Sequence, residues 1–228
     1  MPHKIGILNE KPLHADLKKW YALPGDRLEV LVDGFHIDIV RGTLLVEVQS
    51  RNFSAIKRKL AKLVLHHPVR LVYPIVQEKW IVKLASDGCR ELSRRKSPKK
   101  CSIEHIFDEL VYFPKLLTNP NFSIEAIFIQ EEEVRRYDGA RGWRRKGWVT
   151  QERRLLKVMD KRTFESPSDI AALIPDDLAE PFTTFNLAAA IGKPNWIGQK
   201  MAYCLREMGI IVQTGKRRNA ILYVRNGV

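Results

Sequence analysis

The chain has 228 residues, of which 45% are hydrophobic, with 39 lysines and arginines against 26 aspartates and glutamates, a formal charge of +13. That length holds one large or two small domains, and the apolar content excludes general disorder. No window approaches the ~18 apolar residues of a membrane span, the start MPHKIGILNEKPLH lacks the apolar stretch of a secretory signal, and Cys89, Cys101 and Cys204 imply no disulfide framework.

A reducing cytoplasm is therefore the expected setting, with no membrane partner. The excess of cations points to a polyanion, nucleic acid first. By segment, residues 1–86 carry +6, 87–101 carry +4, 102–150 carry −1 and 151–228 carry +4.

In chain order, Asn9 caps a helix running to about Ala22, stopped by Pro24-Gly25-Asp26. Leu28–Val32 is a strand and Asp33-Gly34 a turn. Phe35–Val40 and Thr43–Ser50 are strands joined by Arg41-Gly42. Ser54 caps a helix to about His66, with Ile56, Leu60, Leu63 and Val64 on one side. Val69–Val76 and Trp80–Ala85 are two further strands. Arg94-Arg95-Lys96-Ser97-Pro98-Lys99-Lys100 has no apolar periodicity and reads as a mobile basic loop, either solvated or in contact with phosphate. Residues 103–117 look helical and Ile124–Gln130 a strand.

Residues 138–150 hold three glycines and no helical stripe, and the domain junction is placed there. Within them Trp143-Arg144-Arg145-Lys146-Gly147-Trp148 mixes aromatics with cations, which suits base stacking and phosphate contact or a linker pinned by tryptophans. Helices follow near 151–161, 167–174, 183–191 and 195–208, then a hairpin of Ile210–Gln213 and Ala220–Val224.

The segment from Val32 to Gln49 carries the chemistry. With side chains alternating across strands, Ile37, Ile39, Leu44, Val46 and Val48 share an apolar face, while His36, Asp38, Glu47 and Gln49 share the other. With the turn at Arg41-Gly42, Asp38 and Glu47 are diagonal cross-strand neighbours. Two acids so close repel unless a cation lies between them or one stays protonated. A hard divalent cation takes such oxygen ligands. The same alternation also describes the wet face of an antiparallel sheet.

Gly-x-x-x-Asp followed nine residues later by Glu-x-Gln, between a glutamate-bearing helix and a basic helix, resembles the PD-(D/E)XK nuclease superfamily, in particular archaeal Holliday-junction resolvases and transposase-associated endonucleases. The resemblance covers roughly residues 5–85. It implies a restriction-endonuclease-like α/β fold, a mixed sheet flanked by helices, that hydrolyses DNA phosphodiester bonds. Asp38 and Glu47 would hold Mg²⁺ or Mn²⁺, and Glu10 matches the acid many members carry on their first helix. Gln49 stands where lysine is usual; it would orient the attacking water, with Lys57 or Lys59 on the next helix supplying the missing charge. For Lys57 and Lys59 a solvated face is the default reading, with phosphate contact the alternative.

Phe182 to Trp196 reads as helix, tight turn and helix cap. The next helix sets Ile197, Met201, Cys204, Leu205 and Met208 on one side, with Asn195, Gln199 and Lys200 mostly on the other. A hairpin tipped by Lys216, Arg217 and Arg218 follows. Residues 151–225 resemble a winged-helix domain, in which the second helix enters the major groove and the hairpin touches the backbone. The expected organisation is thus a nuclease-like domain at 1–137, a linker at 138–150 and a smaller winged-helix-like α+β domain at 151–228, with DNA as partner and a homodimer possible. The alternative is a non-catalytic DNA-binding regulator or targeting subunit on an inactive nuclease fold. No Cys-x-x-Cys, Walker A loop, dinucleotide glycine motif or Gly-x-Ser-x-Gly elbow supports another chemistry.

Overall fold

A computed structural model describes residues 11–226 except 86, 89, 140 and 142. The chain is α/β, with a large mixed sheet flanked by helices. Its elements are α1 (Pro12–Tyr21), β1 (Arg27–Val32), β2 (Phe35–Arg41), β3 (Leu44–Val48), α2 (Phe53–Leu63), β4 (Val69–Leu84), β5 (Glu91–Lys96), α3 (Phe107–Leu110), β6 (Phe122–Tyr137), β7 (Trp148–Phe164), α4 (Pro167–Ala171), α5 (Thr184–Ala190), α6 (Asn195–Glu207), β8 (Ile211–Arg217) and β9 (Ala220–Arg225). Short 3-10 turns at Ile103–Ile106 and Pro114–Thr118 flank α3.

Seven strands form one sheet in the order β1-β2-β3-β4-β6-β7, with β5 also on β4, while β8 and β9 form a separate pair. The first three strands are an antiparallel meander. The return through α2 makes β4 parallel to β3, with Glu47 beside Leu71 and Val48 beside Val72, as a crossover helix requires.

The chain divides into two compact units. One comprises residues 1–26, 74–102 and 127–161, the other 27–73, 103–126 and 162–228. The second unit, which contains the meander and the C-terminal helices, has an aromatic centre. Phe53 of α2 stacks on Phe113 at 5.2 Å and meets Tyr73 edge-on at 5.1 Å, and Phe113 meets Phe122 edge-on. Such pairs add to the burial of the rings themselves. Ile37, Ile39, Val46 and Val48 fill the apolar face of the meander. Farther along, α5 opens on a capping box in which the Thr183 hydroxyl accepts from the Asn186 backbone N–H and the Asn186 side-chain Oδ1 accepts from the Thr183 backbone N–H. Gly198 lets α6 lie against α5: a Cβ there would stand 2.4 Å from the Thr184 carbonyl oxygen.

The first unit contains α1, β5, the later parts of β4 and β6 and all but the last three residues of β7. Its centre is polar. Glu131 and Glu133 are buried on one face of β6. Lys79 of β4 lies 2.9 Å from each, Arg153 of β7 pairs with Glu131, and Arg135, Arg145 and Thr150 contact Glu133. The carboxylates are buried only because cations and a hydroxyl go in with them.

Several expected elements differ. Val69–Val76 and Trp80–Ala85 are one sixteen-residue strand, β4. The basic segment expected to be a mobile loop contains β5, antiparallel to β4 with Ile81 beside Arg95. Its side chains are all exposed, so it shows no apolar alternation; backbone pairing makes it a strand, helped by Arg94–Glu132 and Lys96–Glu78 pairs. Residues 151–161, expected as a helix, lie in β7. Neighbouring β6 offers them a backbone ladder, and that tertiary context outweighs local helix propensity. Residues 138–147, where a domain junction was expected, connect two adjacent strands of the same sheet, with the Asp138 N–H donating to the Gly147 carbonyl. Asn9 and Glu10 lie outside the described residues.

Candidate functional site

The meander brings the two central acids together more closely than expected. The turn is Gly42-Thr43, so Arg41 pairs with Leu44, Val40 with Leu45 and Ile39 with Val46. Asp38 and Glu47 are the next residues beyond the last pair, Ile39 with Val46, and the Asp38 charge acts on Glu47. Gly42 has φ +57, a conformation glycine adopts without strain. Both acids keep the face they were assigned, because moving the register by two residues leaves side-chain parity unchanged.

Regular pairing of β2 with β3 stops at Ile39 and Val46. Leu45 and Gln49 donate their N–H groups towards β4, to the carbonyls of Pro68 and Val72, so the even-numbered N–H groups of β3 face β2. The Val48 N–H finds the Asp38 carboxylate, which accepts it at 2.8 Å. A side chain here replaces the ladder, and the two strands fork at the acids.

Lys59 reaches into this fork from α2. Its Nζ lies 2.5 Å from Glu47 Oε1 and donates to the His36 carbonyl of β2. The ammonium therefore bridges both strands. Glu47 is 6% exposed, and its Oε1 is buried and meets the ammonium off the direction of a hydrogen bond. Burial, then the adjacent Asp38 charge, push the Glu47 carboxyl up to about 7, against the pull of Lys59. Gln49 turns away: its amide nitrogen donates to the Arg51 carbonyl at 2.6 Å and ties down the loop into α2.

The donor set suits a hard cation. Asp38 and Glu47 offer adjacent carboxylates, one with a buried oxygen that lacks a hydrogen bond, and Mg²⁺ is commonly held by one or two carboxylates with water and phosphate completing its shell. To admit a cation at Glu47, the Lys59 ammonium would have to swing aside. Among the described residues no group of three acids, histidines or cysteines is placed to hold a metal.

The remaining candidates scatter. Lys57 is exposed and lines a groove of about 550 Å³ with Leu65, Tyr112 and Tyr203. Asn195 and Gln199 are exposed on α6, as are Lys216, Arg217 and Arg218 at the β8–β9 tip. Lys200 is otherwise engaged. Its Nζ lies 2.9 Å from Asp108 of α3 and 5.1 Å from the Trp196 ring. Lys193–Glu104 and Lys115–Glu207 pairs lie nearby, so one face of α6 is turned to the 103–118 segment. Sequence reasoning had no access to this packing. Nor did it find Glu109, whose carboxylate accepts the Phe53 N–H at the start of α2 from 56 positions away; only folding brings an acid from so far to a helix end.

Fold and site thus define an α/β protein with a forked meander carrying two carboxylates and a lysine. The chain belongs to the family described as Domain of unknown function (DUF8091), whose model matches residues 11–165. A protein of Treponema pallidum (strain Nichols), described as an uncharacterized protein, is 31% identical over 224 residues, covering 96% of this chain and 86% of its own length. No solved structure matches the chain. The family match ends where β7 ends, one residue after Phe164, and α4 to β9 lie beyond it.

Proposed function

We propose that the chain is a divalent-metal-dependent DNA endonuclease of the PD-(D/E)XK type, with its C-terminal helices and hairpin acting as a winged-helix-like DNA-docking element. The observation that carries the reading is the fork itself, where Asp38 and Glu47 stand side by side with the Lys59 ammonium against Glu47. The order meander, helix, parallel strand supports it, and so does the pairing of Phe182 with Tyr223, which sets a bridge beside the β8–β9 hairpin.

Asp38 and Glu47 would hold the cation, which when bound polarises a phosphate and lowers the pKa of a water. Lys59 supplies, from the next helix, the positive charge that Gln49 lacks. Gln49 is better placed to fix the β3–α2 loop than to orient water, so its role is positional. Asn195 and Gln199 are available to DNA on α6, while Lys200 contributes only if its Asp108 pair opens. The hairpin tip residues Lys216, Arg217 and Arg218 would contact phosphates.

The test is incubation of the purified chain with duplex, single-stranded and branched DNA in Mg²⁺ or Mn²⁺. Cleavage that disappears in Asp38→Ala and in Glu47→Ala is the expected result. Absence of cleavage on every substrate, or cleavage that survives both substitutions, refutes the reading.

A second reading has its own observation. Lys59 already opposes the Glu47 charge and Gln49 is spent on the loop, which fits a DNA-binding protein on a nuclease-like fold without hydrolysis. It requires salt-sensitive DNA binding that ignores EDTA.

A further inference from the structure

The charge of the molecule is concentrated in one unit. Residues 1–26, 74–102 and 127–161 hold 22 lysines and arginines against 12 aspartates and glutamates, +10 of the total +13; the other unit holds 17 against 14. Within the basic unit, Glu131 and Glu133 are buried and matched by Lys79, Arg153, Arg135 and Arg145, so they do not offset the outer surface.

Aromatic rings sit among these cations. The Lys83 ammonium lies 4.3 Å over the Trp148 ring, which packs against Tyr137 at 5.7 Å. Pairing of Ile81 with Arg95 and of Lys83 with Ser93 puts Arg95 on the Lys83 face. On the connection between β6 and β7, Trp143 is 81% exposed, with the Arg144 guanidinium 5.1 Å over its ring, and Arg141 and Lys146 are exposed beside it. Gly147, with φ +81, lets the Tyr137 ring cross it, since a Cβ would stand 2.6 Å from that ring. An indole left this open forgoes a large hydrophobic gain, and cations around exposed rings are the chemistry that holds phosphates while bases stack.

We propose that the described residues of the β6–β7 connection, together with the Lys83 face of β4 and β5, form a binding surface for single-stranded nucleic acid, with Trp143 stacking on an unpaired base and Arg95, Arg141, Arg144 and Lys146 contacting phosphates. It uses none of the residues of the Asp38–Glu47 fork or of the β8–β9 tip, and it works without metal or hydrolysis.

The experiment measures anisotropy of labelled oligothymidylate, and of a duplex of equal length, with the full chain in EDTA across a salt series. Wild type is expected to prefer the single strand. Trp143→Ala should weaken that binding roughly tenfold or more, and Trp143→Phe should retain it. Arg141, Arg144 and Lys146 replaced together by serine should lower the salt slope by about two. Indifference to Trp143→Ala in a folded variant overturns the proposal. So does failure of Trp143→Phe to bind, a preference for duplex, or equal binding to phosphatidylserine vesicles, which would mean a general anionic surface.

Discussion

At the scale of residues, the buried acids in the two units respond to pH in opposite directions. Glu47 has its proton affinity raised in the fold to about 7 from 4.5, so the folded state holds its proton over a range where the unfolded chain has released it. Its contribution is fully present below pH 4.5, falls as pH rises, and is gone above about 7. Glu47→Gln mimics the protonated form, so it should leave stability unchanged at pH 4 and raise it at pH 8, by up to ~3 kcal/mol at about 1.4 kcal/mol per pKa unit. Thermal melts at the two pH values check this, and a destabilised variant at pH 8 would contradict it. Glu133 is the reverse. Burial would raise its carboxyl, but hydrogen bonds from Arg135 and Lys79 bring it down to about 2, so its stabilisation is present above pH 4.5 and lost as pH falls towards 2. Lys79→Ala removes the one cation shared by Glu131 and Glu133, leaving Arg153 on the first and Arg135 and Arg145 on the second, and should cost about 1.5–3 kcal/mol, measured by urea unfolding at pH 7.

At the scale of elements, side-chain parity proved more robust than register. The apolar face of the meander was legible in the sequence because a strand alternates strictly, and Ile37, Ile39 and Val46 are buried, but the other face is largely covered too, with Val40, Leu45 and Glu47 buried and His36 exposed. The turn fell one residue later than expected, which changed the partner of Asp38 without changing its face. Strands β5 and β7 were not legible. Arg94, Arg95 and Lys96, or Arg153, Arg154 and Lys157, give no period of two, and what makes them strands is a neighbouring backbone. Charges on such strands also discourage pairing with other chains. Helix α6 was legible as a helix, through Ile197, Met201, Cys204 and Leu205, but its opposite side was read as open although Lys200 engages Asp108. Close packing of α5 on α6 rests on Gly198: a Cβ would also stand 2.7 Å from the Ala188 Cβ. Gly198→Ala should cost about 1–3 kcal/mol as the helices are forced apart, read as a lower midpoint of chemical unfolding. Gly209→Asn, at a helix end with φ +77 and nothing within 4 Å of a Cβ, is the comparison in which only backbone strain and no steric clash is introduced.

At the scale of the whole molecule, the division of the chain is not a simple cut. Residues 162–228 belong to one unit with 27–73 and 103–126, tied by the Lys200–Asp108, Lys193–Glu104 and Lys115–Glu207 pairs. A chain ending at residue 165 uncovers apolar surface that α6 shields, so it should melt at a lower temperature than the full chain and bind a hydrophobic dye. Equal melting of the two chains would show that the C-terminal part is independent.

Taken alone, the sequence determined which residues are apolar or charged, the parity of each side chain along the meander, the helix pair with its hairpin, and a surplus of thirteen cations. Those properties are local or additive, and no folding is needed to count them. Only the tertiary structure decided that Asp38 lies close enough for its charge to act on Glu47, that Lys59 enters the fork, that Lys200 faces an acid, and that ten of the thirteen surplus charges gather in one unit. Each of these depends on which distant segments come together. That choice is made by the burial of Phe53, Phe113 and Phe122 and by strand pairing over long separations, neither of which a window along the chain contains.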